Sequence, residues 1–294
     1  MEVCLKLDNI KRENRPYAEV SACKLYLDWG MFMSDPTAAN LLSIIKSSKL
    51  VDLSVLTGEQ QPSSPPEGQR FGQYMMNHYT WPRGQFLEYV QVHDDHTGTH
   101  IDAPCHMIPT AESGLPHGNK FGAVTVENLE LDDMIGAAVI VDVRSLIETV
   151  EKGKDTNLAR SPVITADFLK SWEVDNGKFS PNEIVLFRTD WSDTYFKPYP
   201  EGFKYDRSHP APGADAIEFL HSRGIKHIGI DARGIGQMQD DYTPHWAALG
   251  VGMLATENLT NLGKLPVRGA VFIFLPHKFE GATGGLGRAI ALIP

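Results

Sequence analysis

Residues 93–107, HDDHTGTHIDAPCHM, hold four of the chain's eleven histidines and three aspartates. Two helix breakers, Gly98 and Pro104, sit among them. A straight strand would separate His96 from His100 by about 13 Å. That is too far for a shared metal ion, whose bonds to nitrogen are only about 2 Å long. A helix would bring positions four apart onto one face. Yet Thr97-Gly98-Thr99 is a poor helical core, and Pro104 cannot continue a helix. The remaining solution is a bend in which Gly98 takes a positive φ and turns the two imidazoles toward each other. His100 and Asp102, two residues apart, then share one face of an extended segment. On this reading His96, His100, Asp102 and His106 converge on a cation. The competing reading is a polar loop whose histidines are simply hydrogen-bonded. His93, Asp94 and Asp95 read as solvated flanking groups. Cys105 reads as a small buried residue rather than a nucleophile or soft ligand.

Elsewhere the periodicity predicts both strands and helices. AAVIVDV (137–143), NEIVLFRTD (182–190), IKHIGID (225–231) and AVFIFLP (270–276) are short β-branched runs of the kind that form well-buried strands. QFLEYVQVH (85–93) alternates like a half-buried strand, and KLVDLSVL (49–56) reads as a short one. TAANLLSIIKS (37–47) has helical spacing. TADFLKSWEVDNG (165–177) and GADAIEFLHSRG (213–224) read as helices that end at glycines. Strands and helices alternate in the second half, while the first half is richer in strand. This predicts an α/β single domain with a mixed β-sheet core and flanking helices.

The chain carries a net charge of −10 with no block of Lys or Arg, which argues against a nucleic-acid partner. No apolar run reaches eighteen residues, so no membrane span is expected. The N-terminus lacks a signal-peptide core. With only Cys4, Cys23 and Cys105, this points to a reduced, cytoplasmic protein.

The stretch His96-Thr-Gly-Thr-His100-Ile-Asp102-Ala-Pro-Cys-His106 fits the pattern HxGTHxDxPxH in full. It resembles the signature of the cyclase-like metal hydrolases, the family containing bacterial kynurenine formamidase and isatin hydrolase. The resemblance extends from about Leu50 to Pro294 and takes in Phe187-Arg188-Thr189-Asp190-Trp191 and the tail from Leu262. It divides the chain into an N-terminal extension, 1–49, and a hydrolase domain, 50–294. It implies a swivelling β/β/α-like arrangement and a homodimer or higher homo-oligomer. In the formamidase branch it implies metal binding by His96, His100 and Asp102 and proton transfer by His106. It adds a distant pair, His245 and Glu257, that completes a two-metal centre. The isatin hydrolase pattern lacks that glutamate and uses a single manganese. This chain therefore joins an isatin-hydrolase-like tail to formamidase-like ligands, which leaves one or two cations open.

The function implied is metal-dependent hydrolysis of an amide, cyclic amide or ester bond in a small molecule. A divalent cation, Zn or Mn, would lower the pKa of bound water. His106 would take a proton and return it to the leaving group. Mixed imidazole and carboxylate ligands suit either metal. Two alternatives stand beside this. His100, Asp102 and His245 also match the facial triad of a non-haem iron oxygenase, which leaves His96, His106 and Glu257 without roles. A non-catalytic metal-binding protein on the same fold is the other, and the presence of His106 counts against it. For the substrate, Trp81 and Trp191 are the candidate contacts. Tyr74, Met75, His78 and Tyr79, in the stretch before the motif, line an aromatic pocket or form an interface patch.

Overall fold

The computed structural model describes residues 36–63, 70–79, 84–149, 160–206 and 208–294. Its strands are β1 (Lys49–Asp52), β2 (Gly72–His78), β3 (Leu87–Val92), β4 (His100–Asp102), β5 (Ile135–Asp142), β6 (Val163–Ile164), β7 (Ile184–Arg188), β8 (Ala211–Pro212), β9 (His227–Ile230), β10 (Leu254–Glu257), β11 (Ala270–Pro276) and β12 (Gly284–Ile293). Its α-helices are α1 (Pro36–Ser47), α2 (Ala166–Asn176), α3 (Trp191–Tyr195), α4 (Ala214–Ser222) and α5 (Tyr242–Leu249). Residues 1–46 and 47–294 are separate units. Of the first, only α1 is described, with Leu41 and Ile44 exposed. Among the described residues no helix is long and apolar enough to cross a membrane.

The main sheet runs β1-β12-β11-β5-β7-β9-β10-β4, and β4 pairs again with β12. Seven strands therefore close into a barrel-like ring, with β1 attached to β12. The ten-residue β12 makes this possible. Its first part, Gly284–Leu286, pairs with β4, and its last part, Ile290–Ile293, pairs with β1. The strands β5, β7, β9 and β10 run parallel, while β1, β4, β11 and β12 pair antiparallel. The sheet is thus mixed, in agreement with the alternating strand and helix pattern.

Both faces of the ring are apolar, which is why the strand sequences read as continuous runs rather than alternations. One core holds Ala138, Ile140, Leu186, Leu254, Ile101, Phe272, Phe274, Ala289 and Ala291, contributed from around the ring. The other holds Val139, Val141, Val185, Phe187, Ile228 and Ala255 with Leu169, Ile217, Leu220 and Ala248 of the helices. Helix α2 starts where Thr165 Oγ1 accepts the Phe168 N–H at 3.2 Å and stops at Gly177, with φ of 83°. One expectation needs correcting. Strand β3 is exposed along its whole length, because among the described residues the β2–β3 hairpin pairs only with itself and both of its faces meet solvent.

Candidate metal centre

Gly98 has a φ of 65°, so the chain does bend between His96 and His100. A Cβ at Gly98 would stand 2.1 Å from Thr57 Oγ1. Thr99 Oγ1 fixes the far side of the bend by donating to the Asn258 carbonyl at 2.6 Å and accepting the Val55 N–H at 2.9 Å. Strand β4 follows. Ile101 is fully buried in the ring-lining core, so His100 and Asp102 project from the opposite face. On β10, Ala255 and Glu257 share that face, because Ala255 packs in the helix-side core.

The register then sets the neighbours. Glu257 lies opposite His100, and Ala255 opposite Asp102. On the other side Gly284 lies opposite Asp102. Asp102 thus has a small residue on each flank, which leaves room for imidazoles. His245 comes from α5, and a single turn at Pro104–His106 carries His106 back over the strand. The His106 ring centroid is 3.9 Å from that of His96 and 6.1 Å from that of His245.

His100 Nε2 is 3.3 Å from Asp102 Oδ1 and 3.5 Å from Glu257 Oε2. His245 Nε2 is 3.3 Å from Glu257 Oε1 and 3.6 Å from Asp102 Oδ2. His96 Nδ1 is 2.8 Å from Asp102 Oδ1, and its Nε2 is 3.0 Å from Thr283 Oγ1. Burial would pull the His100 and His245 pKa values down. The adjacent Asp102 carboxylate outweighs that for His100, and the Glu257 carboxylate for His245, so both rise to about 9. Burial pushes Asp102 up, but the surrounding imidazoles of His106, His100 and His96 hold it well below the usual carboxylate range. Burial holds His106 below its ordinary value, with His96 and His245 adding to the effect.

This donor set fits a divalent cation. His100 Nδ1 donates to the Gly98 carbonyl at 2.8 Å and His245 Nδ1 to the Asp241 carbonyl at 2.5 Å. Those bonds leave both Nε2 atoms as lone-pair donors aimed at the carboxylates. His100 Nε2 and Asp102 Oδ2 are buried with no hydrogen-bond partner, a costly state that a cation would relieve. Two ligands bonded to one tetrahedral ion at about 2.1 Å stand roughly 3.4 Å apart, close to the separations here. Among the described residues three groups meet the spacing for a common ion; the all-carboxylate Asp190–Asp193–Asp231 lies outside this cluster, and the two that contain histidine, His96–Asp102–His106 and His100–Asp102–Glu257, share Asp102.

The family model Cyclase matches residues 51–237. The chain belongs to the Cyclase family. It is 31% identical to isatin hydrolase of Roseibium aggregatum over 210 residues, 68% of this chain and 72% of that protein. It is 26% identical to kynurenine formamidase of Salinibacter ruber over 204 residues, 66% of this chain and 74% of that one. A crystal structure of an isatin hydrolase bound to the product analogue thioisatinate superposes with a TM-score of 0.67 at 27% identity. That match covers 88% of this chain and 96% of the other.

In this chain His96, His100, Asp102, His106, His245 and Glu257 are brought together. Trp191 packs among the helix-side core residues. It is 8% exposed in the helix-side core, and its indole N–H donates to the Tyr205 carbonyl at 2.9 Å. Trp81 falls outside the described residues. Asp94 and Asp95 are not the solvated groups that sequence suggests. Asp94 Oδ1 accepts the His96 N–H at 3.0 Å and the Thr97 hydroxyl at 2.9 Å, shaping the bend. Asp95 Oδ2 accepts the Thr283 N–H and hydroxyl, both at 2.9 Å, and the Gly284 N–H at 3.1 Å. Nearly two hundred residues of chain separate these partners, and local pattern gives no signal for such pairing. Gly284 also passes unnoticed in sequence, yet a Cβ there would stand 2.6 Å from His96 Cε1. Gly234 is similar. A Cβ there would sit 3.0 Å from Glu257 Oε1, the atom that accepts the Ile235 N–H at 2.8 Å.

Proposed function

We propose that this protein is a metal-dependent hydrolase of an amide, cyclic amide or ester bond, lactones included, in a small molecule. Among amides it acts on C–N bonds other than peptide bonds. The observation that carries this reading is the buried, unpartnered pair His100 Nε2 and Asp102 Oδ2 among further imidazoles and Glu257. His96, His100, Asp102, His245 and Glu257 would hold one or two cations. A donor set of imidazole nitrogens and carboxylate oxygens suits zinc and manganese alike. When bound, such a cation supplies Lewis acidity, polarising a carbonyl and lowering the pKa of water. The hydrolase domain spans 50–294, with 1–49 as an extension.

The chain's own residues divide the remaining work. Asp102 and Glu257 supply negative charge that offsets a cation's. The Gly98 and Asp241 carbonyls fix the tautomers of His100 and His245. His106 packs on His96 from the turn after β4, and in this reading its imidazole takes a proton from attacking water. It then returns that proton to the departing nitrogen or oxygen. The similarity to isatin hydrolase and kynurenine formamidase supports small cyclic amides and aryl formamides as substrates to try first.

The test is to strip the protein of metal, restore zinc or manganese, and assay isatin, N-formylkynurenine and simple lactones under argon without 2-oxoglutarate. Turnover that returns with the metal supports hydrolysis. Turnover that requires oxygen and 2-oxoglutarate would instead favour the oxygenase reading of His100, Asp102 and His245.

A further inference from the structure

Arg233 carries a guanidinium that forms no hydrogen bond among the described residues. Its side chain is only 16% exposed, and its one ion-pair partner among them is Asp241, whose Oδ1 stands 3.8 Å from Nη2. That separation is too long for a hydrogen bond. Other arginines of this chain are satisfied. Arg223 holds Glu173 through Nε at 3.0 Å and Nη2 at 2.8 Å. Arg288 holds Asp52 through Nε at 2.8 Å and Nη2 at 2.6 Å. A guanidinium presents five N–H donors in a planar fork, and at Arg233 these meet no protein acceptor at hydrogen-bond distance among the described residues while keeping access to solvent.

The place of Arg233 in the chain ties it to the metal centre. It directly precedes Gly234, where a Cβ would stand 3.0 Å from Glu257 Oε1. Its partner Asp241 caps α5, and the Asp241 carbonyl accepts His245 Nδ1. Arg233 is thus bracketed by the segment that braces Glu257 and the residue that orients His245. It retains some solvent access, so a solute can reach it.

We propose that Arg233 anchors a carboxylate on the small molecule hydrolysed here. Substrates that carry an anionic group besides the bond that is cleaved are then favoured over neutral ones of the same kind. The planar fork matches a carboxylate through two parallel hydrogen bonds. This inference rests on the hydrolase reading above for the word substrate, but not for the binding of the anion.

The experiment measures benzoate, benzamide and inorganic phosphate binding by calorimetry, on metal-replete and on chelator-stripped protein. It compares the native chain with Arg233→Gln and Arg233→Lys, with metal content determined on each preparation. Benzoate is expected to bind the native protein more tightly than benzamide or phosphate. Arg233→Gln should weaken benzoate about tenfold or more, the scale of one charge-assisted contact, with metal content and benzamide binding unchanged. Arg233→Lys should recover part of the loss. In a kinetic arm, kcat/KM for 4-acetoxybenzoate should fall in Arg233→Gln while that for phenyl acetate holds. Equal benzoate affinity in native and Arg233→Gln protein would overturn the proposal. So would phosphate binding as tightly as benzoate. If Arg233→Gln fails to fold, the absence of any benzoate preference in the native protein would overturn it instead. A protein that binds benzoate through Arg233 but takes up no metal and cleaves no ester would retire the hydrolase reading and leave the anion site standing.

Discussion

Glu257 stands opposite His100 across the β4–β10 ladder, with its Oε2 3.5 Å from Nε2 of the imidazole. The two residues are 157 positions apart in the chain and meet only because the register of two short strands puts them there. A one-residue slip would turn either side chain to the other face. Glu257 also reaches His245 at 3.3 Å, so it links both imidazoles. Glu257→Gln should therefore lower the metal content per chain and weaken what remains, while leaving the fold intact. Elemental analysis of native and variant protein checks this. Unchanged content and rate would make Glu257 a structural residue.

His106 should separate chemistry from metal binding. It contacts His96 and faces His245 from outside the β4–β10 ladder. His106→Asn keeps polarity and approximate size. It is expected to retain metal and to lower kcat by roughly a hundredfold or more, the usual weight of general acid–base catalysis. If metal and activity disappear together, His106 is a ligand and the proton must move through another group.

The bend at Gly98 can be separated from its conformation by a paired substitution. Gly98 and Gly114 have φ of 65° and 67°, but a Cβ meets Thr57 Oγ1 at 2.1 Å in the first and nothing within 4 Å in the second. Gly114→Ala should cost about 1–2 kcal/mol, the price of a left-handed conformation in a residue with a Cβ. Gly98→Ala should cost more and should also reduce metal content, since the bend sets His96 against His100. Denaturant unfolding and elemental analysis on both variants test this. Equal losses of stability with full metal in each would mean that the bend does not organise the site.

His227 makes stability depend on acid. It is fully buried, with Nδ1 2.9 Å from the Asp133 carbonyl and Nε2 2.7 Å from Thr256 Oγ1. Burial pushes its pKa down from 6.5 to about 4. The folded protein therefore favours neutral His227 more than the unfolded chain does. This contribution is complete above pH 6.5 and is lost as pH falls toward and through about 4. By pH 4 the loss amounts to about 3 kcal/mol. The stability difference between native protein and His227→Gln should shrink by about that amount between pH 7 and pH 4. A difference that stays constant with pH would show that His227 titrates normally.

Much of the fold is legible in the local pattern. Buried strands β5, β7, β9 and β11 announce themselves because both faces of the ring are packed, and α2 and α4 carry clear end signals. Strand β12 does not, since GGLGRAIALI opens with glycines that β propensity disfavours. The first of them, Gly284, is what allows it to pass His96, and β12 is the strand that closes the ring. At the site, the cluster from His96 to His106 could be read from spacing because Gly98 and Pro104 exclude the regular alternatives. His245 and Glu257 could not be read that way. Each is ordinary in its own segment, and only the resemblance to known hydrolases singled them out. The Asp95–Thr283 link carries no local signature at all, because its partners stand 188 positions apart, and nothing in the pattern around Arg233 marks it.

The central claim is that hydrolysis here depends on a cation held by the histidine and carboxylate cluster. The most direct measurement is metal content and turnover of isatin and N-formylkynurenine on one preparation, before chelation, after chelation and after repletion with zinc or manganese. The account predicts one to two equivalents of metal per chain, loss of turnover with the metal, and return of both together. Full turnover in metal-free protein would contradict it.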